Sequence, residues 1–161
     1  GQATGPGQVK GGSTRSESVR RGLAAVPSDA TIVCVHDAAR PFASPVIFQR
    51  VISAVVDGAD AAVPGIAVVD TIKQVNQSEV VVATPRRETL RAVQTPQAFR
   101  ASSLRRAHEQ GGEGTDDAAL IERVGGEVVV VEGEVVNRKI TSPEDLEWAV
   151  AHANRLLAGE I

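Results

Sequence analysis

Apolar residues are arranged along the chain in two distinct patterns. Ile32 to Val35 and Val128 to Val131 are apolar without interruption, which is typical of strands covered on both faces by helices. Other segments repeat apolar residues at helical spacing. These predicted helices span residues 16–26, 44–58, 101–110, 116–125 and 142–157. Because strands alternate with helices through most of the chain, the pattern predicts an α/β fold with an open, mainly parallel sheet.

Polar residues stand at the predicted starts of three of these helices. Ser44 and Ser142 each precede a proline, and a serine cap followed by proline at the first helical position favours a helix start. Thr115 lies directly before residues 116–125 and is the predicted cap of that helix. The helix starts are therefore predicted from capping as well as from periodicity.

The middle of the chain has shorter apolar segments separated by turn residues. Residues 59–65 are a predicted short strand, and residues 66–75 and 79–85 are predicted to form two β-ribbons with a turn between them. We expect these ribbons to leave the core sheet as an excursion. Residues 91–100, bounded by Pro96, are a further predicted strand.

Length and composition limit the classes of protein that need to be considered. A chain of 161 residues with 42% hydrophobic residues suits one domain, predicted at 16–161 after a flexible lead-in at 1–15. A net charge of −3 and 2% aromatic residues argue against nucleic-acid binding. The single cysteine, Cys34, cannot form an internal disulfide. Since no signal peptide or membrane-spanning stretch is evident, no membrane association and a cytoplasmic location are expected.

Candidate chemistry begins where the first uninterrupted strand ends. Asp37 follows that strand, and Arg40 comes three residues later; in open α/β sheets, ligands bind beyond the carboxyl ends of the strands. Asp37 could simply cap the following turn, or it could be an oxygen ligand for Mg²⁺. The neighbouring His36 is interpreted as a packed histidine rather than a catalyst.

Three other polar segments allow both a structural and a functional interpretation. The acids after Thr115 can complement a helix dipole, although the amides there could also bind a hydroxyl or phosphate. Lys139 can be a solvated surface cation or a point-charge partner for phosphate. Arg87 belongs to a basic stretch on the predicted excursion, which would discourage strand pairing. None of these signals is specific alone.

Taken in order, however, the motifs are specific as a series. They are GGSTRSESV at 11–19, HDAARP at 36–41, DTIK at 70–73, QTPQ at 94–97, TDDA at 115–118 and NRKIT with PEDL at 137–146. The series resembles the 2-C-methyl-D-erythritol 4-phosphate cytidylyltransferases, CTP-using enzymes of the non-mevalonate isoprenoid pathway. The resemblance extends from about Gly11 to the end of the chain.

The resemblance implies both a fold and a reaction. The fold would be a Rossmann-like nucleotidyltransferase, a three-layer sandwich with a mainly parallel sheet and a β-ribbon dimerisation arm at about 66–92. In the reaction, the phosphate of methylerythritol phosphate attacks the α-phosphorus of CTP, and pyrophosphate leaves. Both reactants are anions, so cations and Mg²⁺ would hold them in line and absorb charge in the transition state.

The resemblance also implies roles for particular residues. Asp37 would be the Mg²⁺ ligand, Arg40 would orient the hydroxyls of the acceptor, and Lys139 would face its phosphate. Further residues would contact the two substrates. They are Thr95 and Thr115 at the hydroxyls, Thr71 and Arg87 at the phosphate in the neighbouring subunit's site, and Gly12, Ser13, Ser18 and Ala38 at the cytidine nucleotide. A homodimer joined through the arm is therefore implied.

One element of the family pattern has no counterpart in this chain. The family's opening strand and glycine-rich loop, of the form A-A-G-x-G-x-R, wrap the CTP triphosphate, and residues 1–15 do not match them. We therefore expect a fragment that lacks the amino-terminal part of the fold and is inactive toward CTP on its own. Two alternatives stay open: a ribitol 5-phosphate cytidylyltransferase on the same scaffold, or a noncatalytic module for polyol-phosphate binding or dimerisation.

Overall fold

The computed structural model describes Gly7, residues 9–110, Gly114 and residues 116–160. Helices and strands alternate along most of this part of the chain. The helices are α1 Arg15–Ala25, α2 Pro45–Val56, α3 Ala101–Glu109, α4 Asp117–Arg123 and α5 Pro143–Leu157, with a short 3₁₀ turn at Arg87–Thr89. The strands are β1 Ile32–Val35, β2 Ala61–Ala67, β3 Gln74–Val75, β4 Val81–Ala83, β5 Arg91–Val93, β6 Gln97–Arg100 and β7 Val128–Glu132.

The central sheet has five strands and mixed ladders. Its hydrogen-bonded order is β1-β6-β2-β5, and β7 pairs with the other edge of β2. The ladder between β2 and β7 is parallel, whereas β6 lies antiparallel between β1 and β2. It follows that β1, β2 and β7 share one direction while β5 and β6 run against them. The predicted α/β class is confirmed, with these antiparallel strands inserted among the parallel ones.

Helices cover both faces of the sheet and give the expected three layers. Ala61 and Val63 of β2 pack with Phe99 and with residues of α3 and α4, while Ala62, between them, packs on the other face with α2. This alternation is the period of two that a strand imposes on its side chains. The coverage is less complete than predicted, because Cys34 of β1 is exposed and Val130 of β7 is 51% exposed.

The predicted strand at 91–100 is divided in two in the structure. β5 pairs with the distal half of β2, and β6 pairs with its proximal half and with β1. Between them lie Gln94, Thr95 and Pro96, of which the proline has no amide hydrogen to donate to a ladder. The interruption turns the QTPQ motif toward the end of β1 instead of leaving it inside a continuous strand.

The predicted ribbon excursion is present, but its regular part is short. β3 and β4 pair only with each other, in a two-stranded sheet separate from the central one. The Asn76 side chain accepts hydrogen bonds from the amides of Ser78 and Val80 and closes the turn. Residues 68–84, called the arm below, are exposed almost throughout. Among the described residues, no helix has the length and apolar character required to cross a bilayer.

The start of α5 fixes the loop that precedes it. The Ser142 hydroxyl accepts from the amide of Asp145, and the Asp145 carboxylate accepts from the amides of Thr141 and Ser142. Arg138 forms an ion pair with the same carboxylate and packs its guanidinium 4.9 Å from the centre of the Trp148 ring. These hydrogen bonds, led by the one from the Thr141 amide, lower the pKa of Asp145 from 3.8 to about 2.

Asp145 stabilises the folded protein at neutral pH, and this stabilisation is expected to be lost as the pH is lowered from about 4 to about 2. The folded-state pKa of about 2 lies below the ordinary 3.8, so the carboxylate stabilises the fold above the unfolded pKa and loses this effect as the pH falls through the folded one. A carboxyl titration followed by NMR should give a midpoint near 2 for Asp145. The difference in Tm between wild type and Asp145→Asn should narrow over the same range. Glu147→Gln, an exposed change on the same helix, is the control, and a midpoint at the ordinary value would contradict the assignment.

Candidate active site

The turn that follows β1 is built from its own backbone and from His36. The amide of Arg40 donates to the carbonyl of Asp37 at 2.9 Å. His36 Nε2 lies 3.1 Å from the Arg40 carbonyl oxygen, and its ring packs against Phe48 with centroids 5.4 Å apart. His36 was predicted to be packed in the core, yet it is exposed. Its contacts with Arg40 and Phe48 nevertheless hold the turn in place.

Thr95 connects this turn to the QTPQ motif. Its hydroxyl oxygen accepts from the Asp37 amide at 3.0 Å and lies 3.0 Å from His36 Nδ1. Because a carbonyl only accepts, the neutral His36 ring must carry its proton on Nε2, which leaves Nδ1 to accept from the Thr95 hydroxyl. The hydroxyl proton of Thr95 is thus already used within the protein. The Thr95 hydroxyl could therefore only accept a hydrogen bond from a ligand, through its remaining lone pair.

The loop at 137–140 lies against the same turn. The Ile140 amide donates to the Ala39 carbonyl at 2.8 Å, and Arg40 Nη1 donates to the Asn137 carbonyl at 2.8 Å. Lys139 Nζ comes within 3.0 Å of Asp37 Oδ2, while Arg40 Nε is 3.9 Å from the same oxygen. One carboxylate is therefore flanked by two cations from different parts of the chain.

These side chains line a cavity of about 240 Å³. Among its ionisable residues, three cations outnumber two carboxylates: Arg15, Arg40 and Lys139 against Asp37 and Asp116. A site with this balance favours an anionic ligand. A larger groove of about 670 Å³ lies beside β2, β5 and β7, but it contains none of the predicted site residues. The smaller cavity is therefore the candidate active site.

Arg40 is held at this cavity in a largely dehydrated position. Its side chain is 12% exposed, and Nε is buried without a hydrogen-bond partner among the described residues. Burial lowers the pKa of Arg40, and the Asp37 carboxylate partly opposes that shift. An arginine nevertheless stays charged at physiological pH. Arg40 therefore offers a fixed, incompletely paired positive charge.

The donor set of the cavity is compatible with Mg²⁺ that is held jointly by protein and phosphate. No group of three or more His, Cys, Asp and Glu side chains suited to a metal occurs in the described part of the chain. Mg²⁺ is commonly bound by one or two carboxylates plus substrate phosphates and water. Of the two carboxylates here, Asp116 is engaged by Gln97 and by the Ala119 amide. The carboxylate of Asp37 is paired instead with Lys139, whose side chain is 47% exposed, so it could bind the ion if Lys139 turned away.

A second polar group supports the cavity from α1 and α4. Arg15 Nη2 lies 2.7 Å from Asp117 Oδ2, and His108 Nε2 lies 3.1 Å from Asp117 Oδ1. The Asp117 side chain is fully buried. Burial raises the pKa of Asp117, but the hydrogen bond from His108 and the charge of Arg15 outweigh it, so the net pKa is lowered. Asp117 therefore stays ionised and holds Arg15 at the edge of the cavity.

The structure brings together some of the predicted site residues and leaves others apart. Asp37, Arg40, Thr95 and Lys139 line the cavity, and Ala38 lies in the same turn. Other residues do not line it within one chain. These are Thr71 and Arg87, which are exposed on or beside the arm, and Gly12, Ser13 and Ser18, which lie at the start of α1.

The start of α1 is closed by its own hydrogen bonds. The Gly12 amide donates to the Ser18 hydroxyl at 2.9 Å, and the Ser13 amide donates to the Glu17 carboxylate. A Cβ atom added at Gly12 would lie only 2.4 Å from the Cβ of Glu17, so a side chain there would collide with Glu17. The close approach explains why glycine suits this position.

The remaining predicted residue, Thr115, lies outside the described residues. The capping role that the sequence predicted for it is performed by Asp116, whose carboxylate accepts from the Ala119 amide at 2.9 Å. An aspartate cap satisfies the same orphan amide as a threonine would. Threonine and aspartate both favour the cap position, so the local sequence does not distinguish between them.

Sequence reasoning missed the uncharged residues that join the motifs. Asn137 is fully buried, and its side-chain amide donates to the Thr95 carbonyl at 2.8 Å. Gln94 exchanges two hydrogen bonds with the Glu134 backbone, at 2.8 and 3.1 Å. Each amide lies beside an apolar strand, which is a weak signal because exposed amides have the same pattern. Only their burial in the structure shows that these two amides connect separate segments of the chain by hydrogen bonds.

Replacing Asn137 with alanine is expected to destabilise the protein by about 2 kcal/mol, since the buried Thr95 carbonyl would lose its donor. The matched control is Asn154→Ala on the exposed face of α5, which should change stability by less than about 0.5 kcal/mol. Denaturant unfolding of both variants provides the measurement. Equal stabilities of the two variants would show that the tie through Asn137 has no energetic weight.

With this geometry established, comparisons with known proteins assign the family. The family model described as IspD, 2-C-methyl-D-erythritol 4-phosphate cytidylyltransferase, matches residues 6–155. A 2-C-methyl-D-erythritol 4-phosphate cytidylyltransferase of Streptomyces avermitilis is 49% identical over 150 residues, covering 89% of this chain and 60% of the relative. A bifunctional enzyme IspD/IspF of Nitratidesulfovibrio vulgaris is 54% identical over 142 residues, covering 86% of this chain and 36% of the relative.

Solved structures agree with the sequence relatives. A 2-C-methyl-D-erythritol 4-phosphate cytidylyltransferase of Thermus thermophilus superposes with a TM-score of 0.80 at 42% identity, covering 91% of this chain and 72% of that one. A 4-diphosphocytidyl-2C-methyl-D-erythritol synthase of Anaerococcus prevotii gives a TM-score of 0.83 at 34% identity, covering 90% of this chain and 68% of that one. The chain thus spans part of the length of its relatives, and over nearly all of its own length it belongs to the 2-C-methyl-D-erythritol 4-phosphate cytidylyltransferase family.

Proposed function

We propose that the chain provides the acceptor side of a cytidylyltransferase site, which joins CTP and 2-C-methyl-D-erythritol 4-phosphate into 4-diphosphocytidyl-2-C-methyl-D-erythritol and pyrophosphate. One observation carries the proposal: Asp37, Arg40, Thr95 and Lys139, from three separate motifs, converge on one small cavity with an excess of positive charge. The names of the sequence relatives support this choice of substrates.

Each charged residue has a distinct task in this proposal. Lys139 Nζ, which lies 3.0 Å from Asp37 Oδ2, turns to the phosphate of the acceptor and holds the attacking oxygen. Arg40 keeps its Nη1 bond to the Asn137 carbonyl and turns to the acceptor its Nε, which has no hydrogen-bond partner among the described residues. An oxygen of the acceptor phosphate then attacks the α-phosphorus of CTP, and the bond to pyrophosphate breaks. Positioning and charge stabilisation account for most of the catalysis in such transfers.

Asp37 would hold Mg²⁺ in the proposed site. When bound, the ion supplies positive charge that offsets the repulsion between the two anionic substrates. If Lys139 turned from Asp37 to the phosphate, the Asp37 carboxylate would be available to hold the ion, and each charge would keep a partner. The chain's own residues thereby orient the reactants and neutralise them.

A homodimer joined through the arm would complete the site. Thr71 and Arg87 are exposed and do not line the cavity of their own chain, which supports a role in a neighbouring subunit. The arm also exposes large apolar side chains, including Val69 at 81%, Val80 at 58% and Val82 at 56%. Such surface on a two-stranded ribbon favours burial against a partner. The mass of the protein in solution tests the dimer directly.

The experiment that tests the proposed function uses the complete gene product with CTP, Mg²⁺ and one acceptor at a time. Pyrophosphate release with 2-C-methyl-D-erythritol 4-phosphate, and much slower release with ribitol 5-phosphate, is the expected result. The reverse preference would establish the ribitol alternative. Absence of turnover together with binding of a polyol phosphate would favour a noncatalytic module.

A further inference from the structure

One buried acceptor at the candidate site lacks a donor among the residues that the structure describes. Gln97, the last residue of QTPQ, lines the cavity but is only 2% exposed. Its side-chain carbonyl, Oε1, is buried and has no hydrogen-bond partner among the described residues. Buried carbonyls are nearly always paired, so an exception at a cavity wall calls for an explanation.

The orientation of the Gln97 amide is determined by its surroundings. Nε2 donates to Asp116 Oδ2 at 3.0 Å, and a carboxylate oxygen can only accept. Turning the amide over would place Oε1 against that carboxylate, which is repulsive. Asp116 is itself held as the cap of α4. The free carbonyl is therefore presented in one direction.

The backbone at this position is equally constrained. Gln97 is the first residue of β6 and pairs with Val35 of β1, directly before the turn that contains Asp37 and Arg40. The neighbouring Gln94 differs, because both of its side-chain amide atoms are satisfied by the Glu134 backbone. Of the two glutamines in the motif, one ties the fold together and the other has an unused acceptor.

We propose that Gln97 is a specificity-determining residue that accepts a hydrogen bond from a hydroxyl of the polyol phosphate bound in this cavity. The proposal rests on the proposed function, since it concerns the same acceptor site. A neutral carbonyl selects a hydroxyl donor and gives no advantage to an additional phosphate. The charged residues would then hold the phosphate, while Gln97 distinguishes a polyol from an analogue that lacks one hydroxyl.

The test compares Gln97→Met with Gln94→Met in the complete gene product, because methionine keeps the length of glutamine and removes both polar atoms. Calorimetry measures the Kd of 2-C-methyl-D-erythritol 4-phosphate and of analogues that lack each of its free hydroxyls in turn. Wild type should bind one analogue about 10- to 100-fold more weakly than the parent compound. Gln97→Met should bind the parent as weakly as that analogue and should no longer discriminate between them.

The stability of the variants separates this role from a structural one. Gln97→Met loses the bond from Nε2 to Asp116 along with the unpaired carbonyl, so its Tm should fall, but by less than that of Gln94→Met, which loses both bonds to the Glu134 backbone. Unchanged Kd values in Gln97→Met, or weaker binding with wild-type discrimination, would overturn the inference while leaving the proposed function intact. If wild type binds none of these compounds, both the proposed function and the inference fail.

Discussion

Asp37→Asn is expected to lower kcat for cytidylyl transfer about 10³-fold, the scale seen when a preorganised charge is removed from a site. Asparagine keeps the shape of the side chain and its backbone bond to Thr95, but it removes the negative charge beside Lys139 and Arg40. The two cations would then be freer to bind anions. The Kd of the polyol phosphate should accordingly stay the same or fall while kcat falls.

This split between binding and catalysis makes the Asp37 prediction specific. Steady-state kinetics of the complete gene product measure kcat, and calorimetry measures binding of the acceptor. Asp29→Asn, in the exposed turn before β1, is the matched control and should behave as wild type. The side chain of Asp37 is 25% exposed, so loss of its ion pairs should alter stability by less than about 1 kcal/mol. A kcat within about tenfold of wild type would contradict a role in charge stabilisation.

Lys139→Met is expected to lower kcat/KM by about 10²- to 10³-fold. Unlike Asp37→Asn, it should act by weakening the binding of the acceptor phosphate. Methionine retains the apolar stem but cannot pair with a phosphate, and the Asp37 carboxylate that now lies 3.0 Å from Lys139 would repel one. The Kd of the polyol phosphate should therefore rise, in contrast to Asp37→Asn. Lys139 is 47% exposed, so the fold itself should be little affected.

Charge and geometry can be separated at position 139 with a second variant. Lys139→Arg keeps the charge but replaces a compact ammonium with a planar fork, so it should recover part of the binding and less of the rate. Unchanged binding of the polyol phosphate in Lys139→Met would exclude this residue as the phosphate contact. Similar behaviour of the arginine and methionine variants would show that shape, rather than charge, matters there.

Much of the fold was predictable because its signals are local. Serine caps and the following prolines at Ser44 and Ser142 mark helix starts that the structure confirms. β1 and β7 were recognisable as uninterrupted apolar runs, and both exist at those positions. Capping and periodicity are properties of a few neighbouring residues, so a single sequence displays them.

Errors arose where an interaction joins distant residues. The strand predicted at 91–100 is divided because its two halves pair with different parts of the sheet. The cap of α4 is Asp116 rather than Thr115, and Asp116 has a second partner in Gln97, 19 positions away. His36 was expected to be packed, yet it is exposed, and its two ring nitrogens connect Thr95 to Arg40 by hydrogen bonds.

The sequence by itself determined the α/β class, most helix boundaries and the motifs that identify the family, because each depends on residue types at fixed short spacings. Only the tertiary structure decided which polar side chains share a cavity. Lys139 Nζ and Asp37 Oδ2 belong to residues 102 positions apart in the chain yet lie 3.0 Å apart in space. The buried amides of Gln94, Gln97 and Asn137 likewise form hydrogen bonds with residues that only the fold brings near them. Hydrogen bonds and charges act over a few ångströms, so their arrangement is settled by packing and not by order along the chain.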